Sequence, residues 1–203
     1  KGHELGYEKL KDFVGWAKNI GVKTVIAYAF STENWNRAKE EVGYLMNLLE
    51  RVVTIKADEL LREKIRIKFI GQIDRLPKKI QDGIKRIEEE SQKWREHTLI
   101  IALSYGGRAE IVEGIKNLVK KVGIGGINKI REEDFGNYLW TNGISDPDLI
   151  IRTSGEVRTS NFLPWQAAYS EWFFSKTFWP AFTKKEFLKI IKEYSQRERR
   201  NGK

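Results

Sequence analysis

Apolar, β-rich runs alternate with amphipathic helical segments along this chain, and that alternation is the strongest constraint on its fold. The runs are VKTVIAYAF (22–30), IRIKFIG (65–71), TLIIALSY (98–105) and DLIIRT (148–153). Largely continuous apolar strands separated by helices are typical of a parallel sheet that is covered by helices on both faces. The pattern predicts an α/β fold with a single domain over residues 1–203 and a central, mostly parallel sheet.

The helical segments have clear beginnings and ends. The first covers residues 4–21 and ends at Gly21, and a long helix runs from Glu41 to about Glu63 with an aliphatic stripe from Leu45 to Val53. Further helices follow Pro77, cover residues 109–122 and, in a short piece, 131–140, and SEWFFS (170–175) reads as another strand. Thr183, with Glu186 three residues later, is a capping box that opens the last helix.

Polar segments follow each of the four strands at its carboxyl end. They are FSTENWNR (30–37), GQIDRLP (71–77), SYGGR (104–108) and RTSGEVRTS (152–160). Because ligands bind beyond the carboxyl ends of parallel strands, we expect these segments to form one site. Four arginines with nearby hydroxyl groups suit a phosphate group, which guanidinium groups bind bidentately: Arg37, Arg108, Arg152 and Arg158, with Ser31 and Ser160.

A simpler alternative remains for each arginine taken alone. Arg158 can pair with Glu156 at the surface, and Arg37 with Glu40 or Glu41. The sequence contains neither a GxxxxGK[ST] loop nor a GxGxxG motif after a strand, so the predicted phosphate site is not one of the common nucleotide-binding loops.

Glu171 is a carboxylate at the head of the aromatic run EWFF. It is either a solvent-facing acid at the edge of a strand or a ligand of Mg²⁺, which is commonly held by one or two carboxylates together with substrate phosphates. The sequence alone leaves both interpretations open.

Composition excludes several classes of protein. The chain has no cysteine and only two histidines, which rules out a disulfide framework and a histidine-rich metal centre. No apolar run approaches the ~20 residues that span a bilayer, so we expect a cytoplasmic protein, with peripheral contact to the membrane at most. The net charge of +9 permits nucleic-acid binding, but the aromatic run WFFSKTFW (172–179) is expected to be packed rather than available for base stacking.

Four stretches together resemble the cis-prenyltransferases, the undecaprenyl diphosphate synthase family. They are YAFSTENWNR, SYGGR, DLIIRTSGEVRTSNFLPWQAAYSEWFF and the closing RERRNG, and the resemblance extends from Gly2 to Gly202. It implies an enzyme that lengthens an allylic diphosphate, of farnesyl or geranylgeranyl type, by adding isopentenyl diphosphate with cis double bonds. It also implies Mg²⁺ as cofactor, a homodimer, no role for nucleic acid, and a long-chain polyprenyl product that partitions into the membrane.

The resemblance also implies roles for single residues. Arg152, Arg158 and Ser160 correspond to the clamp for isopentenyl diphosphate, and Glu171 to a carboxylate that helps place Mg²⁺ there. Four residues correspond to the mobile catalytic loop: Ser31, Asn34, Trp35 and Arg37. His3 corresponds to a histidine near the allylic diphosphate, and Arg200 with Gly202 to a C-terminal Arg-x-Gly that reaches the partner subunit's site. The aliphatic stripe then has two interpretations, as core or as the wall of a tunnel for the growing chain.

One family feature falls outside the numbering. The principal catalytic aspartate of the family lies in an Asp-Gly-Asn-x-Arg segment upstream of the Gly-His pair, and we expect such a segment ahead of Lys1 in the full-length protein. A non-catalytic partner subunit with the same fold is the alternative, and an intact upstream segment would favour the enzyme.

Overall fold

The computed structural model describes residues 2–197, apart from the side chains of His3 and Leu60. Its strands are β1 (Thr24–Ser31), β2 (Arg66–Ile70), β3 (Thr98–Tyr105), β4 (Leu149–Arg152) and β5 (Glu171–Phe174). Its helices are α1 (Gly2–Asn19), α2 (Lys39–Thr54), α3 (Ala57–Arg62), α4 (Lys78–Ser91), α5 (Gly107–Val122), α6 (Glu132–Phe135) and α7 (Lys184–Gln196). Over this part of the chain, no helix combines the length and apolar character that crossing a bilayer requires.

All paired strands of the described residues run parallel, as the sequence predicted, but they form two hydrogen-bonded sheets. One has the order β1-β3-β2, and the other contains β4 and β5. In the three-stranded sheet Ser31 of β1 lies level with Tyr105 of β3, and Ile70 of β2 lies level with Ala102 of β3. In the other sheet Arg152 lies level with Phe174. The carboxyl ends of β1, β2 and β3 therefore share one edge, which we call the rim.

Helices and loop residues cover both faces of the three-stranded sheet. One face packs against α1, α2 and α4 around buried residues such as Phe30, Val53 and Ile84. The opposite face packs against residues that follow α5, including Leu163, which is only 1% exposed. A third apolar cluster joins β4 and β5 to α1 and α7. This arrangement confirms the predicted α/β class.

The long helix predicted from Glu41 to Glu63 is wrong, because the structure has two helices there. α2 ends at Thr54 and α3 begins at Ala57. The break follows three β-branched residues, and the Thr54 hydroxyl donates to the Glu50 carbonyl at 2.7 Å, a contact that bends helices. The predicted start of the last helix at Thr183 is confirmed, since the Thr183 hydroxyl accepts from the Glu186 amide. Only this half of the predicted capping box forms, because the Glu186 carboxylate accepts instead from the Ser175 hydroxyl.

The aliphatic stripe on α2 packs as core in this structure. Leu45, Val52 and Val53 are buried, and Val53 lies so close to Gly83 of α4 that a Cβ there would come within 2.7 Å of it. A small cavity of about 10 Å³ beside Leu10 and Leu99 is too small for a prenyl group. Of the two interpretations of the stripe, this structure therefore shows the one in which its side chains are part of the core.

Side chains of α4 occupy the outer edge of β2. Ser91 Oγ accepts from the Ile67 amide at 3.0 Å, and Glu88 Oε1 accepts from the Phe69 amide at 2.8 Å. Ser91 is fully buried. Two amides that an edge strand would otherwise expose are therefore paired within the chain.

Candidate active site

The segment after β1 folds into a compact 3₁₀ turn, Thr32–Asn36. We call this turn, together with Ser31 before it and Arg37 after it, the 31–37 loop. The Ser31 amide donates to Asn34 Oδ1 at 2.9 Å. Trp35 Nε1 donates to Ser104 Oγ at 2.8 Å, which ties the loop to the end of β3. Arg37 pairs with Glu41 Oε1 at 2.6 Å. Ser31, Asn34 and Trp35 therefore lie at the rim, whereas Arg37 is engaged by α2.

The three predicted clamp residues are close together. Arg152, at the carboxyl end of β4, donates from Nη1 to Ser160 Oγ at 2.9 Å and to the carbonyl of Arg158 at 2.6 Å. Its Nε is buried and has no hydrogen-bond partner among the described residues, and no carboxylate there pairs with its guanidinium. The guanidinium of Arg158 contacts Glu156, which is the surface ion pair that the sequence offered as the simpler alternative. Arg152 is thus a cation with unused donor capacity.

The loop between β4 and β5, which we call the clamp loop, has an unusual backbone. Several of its non-glycine residues have a positive φ: Ser154 (74°), Ser160 (49°), Asn161 (63°) and Leu163 (49°). Left-handed backbone at non-glycine residues costs energy and persists only where surrounding contacts enforce it. Those contacts are supplied at the base of the loop, where Leu163 and Gln166 are buried.

A buried glutamate anchors that base. Glu110, 1% exposed, accepts from the Tyr105 hydroxyl at 2.5 Å, from Gln166 Nε2 at 3.0 Å and from the Thr141 amide at 3.1 Å. Burial raises the pKa of Tyr105, and the neighbouring Glu110 raises it further, so the phenol stays protonated and donates. Sequence reasoning missed this network, because an acid in the first turn of a helix usually faces solvent.

The clamp loop meets the 31–37 loop through Asn161. Asn161 Nδ2 donates to Glu33 Oε1 at 2.8 Å, while its Oδ1 accepts from the Arg108 amide at 2.9 Å. Burial acts to raise the pKa of Glu33, but hydrogen bonds, that from Asn161 foremost, outweigh burial and lower it. Sequence reasoning gave neither Glu33 nor Asn161 a role.

Two further arginines lie at the rim. The guanidinium of Arg75 lies 5.1 Å from the centre of the Trp35 ring, a cation–π geometry. Arg108 lines a cavity of about 250 Å³ together with four other residues: Glu33, Thr159, Asn161 and Pro164. Neither arginine forms an ion pair with any described residue. The rim therefore joins the four segments that the sequence predicted to meet.

Glu171 is not brought to the clamp within this chain. Glu171 is the first residue of β5 and lies level with Leu149 of β4. The residue level with Arg152 is Phe174, three positions later, which is about 10 Å further along a strand. Because side chains alternate along a strand, Glu171 shares the face of Phe173 rather than that of Arg152. Its carboxylate contacts Arg197, beyond the end of α7.

The described residues do not form a magnesium site by themselves. They contain no group of three or more histidine, cysteine, aspartate or glutamate side chains able to hold a metal ion. A magnesium ion at the clamp would thus need ligands from substrate phosphates. The predicted residues Arg200 and Gly202 lie outside the described residues, as does the side chain of His3.

The aromatic run is only partly packed, contrary to the expectation from the sequence. Phe173 is buried, but Phe174 is 43% exposed and Phe178 is 70% exposed. Packing of this run is therefore a weaker argument against nucleic-acid binding than the sequence indicated.

Comparison with known proteins gives a consistent result. The family model described as putative undecaprenyl diphosphate synthase matches residues 1–202. An isoprenyl transferase of Thermotoga maritima is 46% identical over 202 residues, covering all of this chain and 87% of the relative. A tritrans,polycis-undecaprenyl-diphosphate synthase (geranylgeranyl-diphosphate specific) of Methanocaldococcus jannaschii is 43% identical, covering all of this chain and 74% of the relative.

Solved structures agree with the sequence comparisons. Lavandulyl diphosphate synthase from Lavandula x intermedia, in complex with dimethylallyl diphosphate, has a TM-score of 0.93 and 34% identity, covering 99% of this chain and 88% of that one. A probable undecaprenyl diphosphate synthase from Campylobacter jejuni has a TM-score of 0.87 and 32% identity, covering 98% and 93%. With the arginine and hydroxyl groups at the rim, these matches show that the chain belongs to the undecaprenyl diphosphate synthase family of cis-prenyltransferases.

Proposed function

We propose that the chain condenses isopentenyl diphosphate with an allylic diphosphate of farnesyl or geranylgeranyl type and so builds a long-chain polyprenyl diphosphate with cis double bonds. The observation that supports this most directly is the state of Arg152. Its guanidinium already contacts Ser160 and the Arg158 carbonyl, yet its buried Nε has no partner among the described residues. A diphosphate oxygen is the kind of acceptor that this guanidinium lacks, and it would reach the buried Nε once the side chain shifts on substrate binding.

The ion pairs of Arg158 and Arg37 do not oppose this role. Both pairs are exposed, with side-chain exposure of 61% and 46% for Arg158 and Glu156, and 44% each for Arg37 and Glu41. Exposed ion pairs contribute only about 0–1 kcal/mol. A multiply charged diphosphate that accepts charge-assisted hydrogen bonds can displace the carboxylates at little cost, so both arginines remain available to substrate.

In this proposal the 31–37 loop acts on the allylic diphosphate. Ionisation of the allylic diphosphate develops positive charge on carbon and negative charge on the leaving diphosphate. Arg37 would stabilise the leaving anion, and Ser31 and Asn34 would orient the reacting groups and assist the loss of the proton. Trp35, fixed by Ser104 and lying beneath Arg75, holds the loop against the rim.

Mg²⁺ remains a proposed cofactor, and it would supply charge neutralisation at the leaving diphosphate. Glu171 lies at the amino end of β5 and on the other face from Arg152, so it does not fit as a ligand at the clamp of its own chain. Removing divalent ions with EDTA is expected to abolish turnover, and added Mg²⁺ to restore it. Activity that survives chelation would refute the requirement.

A growing prenyl chain needs apolar space beside the rim. The α2 stripe supplies the apolar surface, but it is packed against α4 and the sheet here. We propose that elongation separates α2 from the sheet and that the break between Thr54 and Ala57 allows this movement. The side chains that line the space opened between α2 and the sheet would determine the length of the product. That length has to be measured.

We further propose that the enzyme works as a homodimer and that its product enters the membrane. Exposed apolar side chains support an interface: Val112 and Ile115 on α5 are 53% and 48% exposed, and Tyr169 is 89% exposed. Sedimentation analysis tests the homodimer, and a purely monomeric protein would refute it.

The test of the proposed function is a condensation assay on the full-length protein. Labelled isopentenyl diphosphate is incubated with Mg²⁺ and, in turn, dimethylallyl, farnesyl and geranylgeranyl diphosphate, and the products are sized and their double bonds assigned. Cis-polyprenyl products with at least one starter are expected. Absence of product with every starter would favour the non-catalytic partner subunit instead.

A further inference from the structure

A hydrogen bond at the rim joins the clamp loop directly to the 31–37 loop. Asn161 follows Ser160 of the clamp, and Glu33 lies between Ser31 and Asn34. The 2.8 Å hydrogen bond from Asn161 Nδ2 to Glu33 Oε1 joins residues 128 positions apart in the chain. It fixes the distance between the loop proposed for isopentenyl diphosphate and the loop proposed for the allylic substrate.

Asn161 is also tied to the rigid framework. Its Oδ1 accepts from the Arg108 amide at 2.9 Å, and its carbonyl accepts from the Gly107 amide at 2.8 Å. Both donors are in the first turn of α5, which starts directly after β3. Both polar atoms of the Asn161 side chain therefore form a hydrogen bond. Oδ1 bonds to α5 and Nδ2 bonds to Glu33, so the side chain is held between the two.

The surrounding backbone leaves little room for another arrangement. A Cβ on Gly106 would lie 2.4 Å from Thr32 Oγ1 and 2.9 Å from Asn161 Nδ2. The 31–37 loop and the clamp loop therefore converge on the same glycine. The φ of 63° at Asn161 is one that asparagine tolerates better than most residues, which favours asparagine here over other amide-bearing side chains.

We infer that Asn161 is a positioning residue, which holds the 31–37 loop against the clamp through Glu33 so that two bound diphosphate substrates lie in reacting geometry. The inference rests on the proposed function and adds a residue pair to it. Neither side chain needs to touch substrate. Because a misplacement of about 1 Å between reactants can cost about 100-fold in rate, a contact that sets the loop spacing acts on the chemical step rather than on binding at either site alone.

The experiment uses the full-length protein and variants that remove, preserve or exchange the contact. Asn161→Gly and Glu33→Ala each remove the contact, and glycine keeps the positive φ at position 161. Glu33→Gln is the matched control, because its amide oxygen still accepts from Asn161. Asn161→Asp with Glu33→Gln exchanges donor and acceptor while the pair keeps its net charge, whereas Asn161→Asp alone places two carboxylates together.

Two measurements separate positioning from binding. One is the single-turnover rate of the first condensation at saturating substrates; the other is the Kd of isopentenyl diphosphate alone and of an S-thiolo analogue of farnesyl diphosphate alone. We expect Asn161→Gly and Glu33→Ala each to slow the single turnover by about 10- to 100-fold while each Kd changes less than about threefold. The double variant that combines Asn161→Gly with Glu33→Ala should be no slower than the slower of the two single variants, and the exchanged pair should recover most of the rate lost in Asn161→Asp.

Three results would overturn the inference while the proposed function stands: single turnover at the wild-type rate in Asn161→Gly, a loss that lies wholly in the two Kd values, or losses that multiply in the double variant. Thermal unfolding of each variant shows whether it is folded, and Glu33→Ala tests the contact from the other loop if Asn161→Gly is not. A wild-type protein that forms no prenyl product would instead refute the proposed function, and the positioning role with it.

Discussion

Replacing Gly107 with alanine is expected to shift the clamp loop without touching any predicted substrate-binding residue. A Cβ at position 107 would lie 1.9 Å from Pro164 Cδ and 2.3 Å from Pro164 Cγ. Ordinary van der Waals contact begins near 3.4 Å, so Pro164 must withdraw by about 1.5 Å along that direction. Pro164 is three residues from Asn161 in the clamp loop, and its ring cannot bend away, so the loop backbone has to move.

The size of the effect follows from that displacement. A shift of about 1 Å in reacting geometry can cost about 100-fold in rate, so we expect kcat/KM for isopentenyl diphosphate to fall by at least about 30-fold. Forcing an extra methyl group into packed structure also costs about 1–3 kcal/mol of stability, which urea unfolding would register. Both measurements are made on the same preparation.

Gly15→Ala is the matched control. Gly15 is inside α1 and has nothing within 4 Å of the position of a Cβ. Alanine there should stabilise the helix by up to about 1 kcal/mol and leave kcat/KM unchanged. Wild-type kcat/KM in Gly107→Ala would refute the argument that packing of Pro164 against α5 sets the position of the clamp loop.

Three further predictions follow from single contacts. Arg152→Ala should raise the KM for isopentenyl diphosphate by at least about tenfold, and Arg152→Lys should restore only part of it because lysine lacks the guanidinium fork; an unchanged KM in steady-state kinetics would contradict the clamp. Gly71→Ala should lower the free energy of unfolding by more than about 2 kcal/mol in urea titrations, since Gly71 has a φ of 120° and its Cβ would lie 2.0 Å from the Leu103 carbonyl oxygen; a loss below about 1 kcal/mol would count against it. Because the pKa of Glu33 is lowered in the folded protein, its ionised carboxylate stabilises the fold above the ordinary value of 4.5, and this stabilisation is lost as the pH falls through the lowered pKa. The stability of the wild type relative to Glu33→Gln should therefore decline as the pH is lowered below 4.5, and parallel curves would show that Glu33 is not held in this way.

The elements of the fold could be predicted where their signals are local. The strands are marked by apolar β-rich runs and the start of α7 by its N-cap residue Thr183, and both are confirmed. The break between α2 and α3 was not predicted, because the aliphatic period continues through it and the Thr54 contact with the Glu50 carbonyl that accompanies the break depends on the folded backbone.

Some residues of the candidate site could likewise be predicted from the sequence, and others could not. That Arg152, Arg158 and Ser160 meet could be foreseen, because they lie within nine residues at the end of one strand. Glu171 was expected at the same place, but the register of β4 against β5 puts it at the other end, and register is not readable from one sequence. Glu33 and Asn161 were missed because they are 128 residues apart in the chain, and Glu110 was missed because an acid in the first turn of a helix usually faces solvent.

The pairing of β2 with α4 limits how copies of this protein can associate. With the outward amides of Ile67 and Phe69 already bound by Ser91 and Glu88, a second molecule finds no accessible donors there with which to extend the sheet. Association by strand addition is thus disfavoured at the outer edge of β2. The proposed homodimer therefore has to form through a different surface of the molecule.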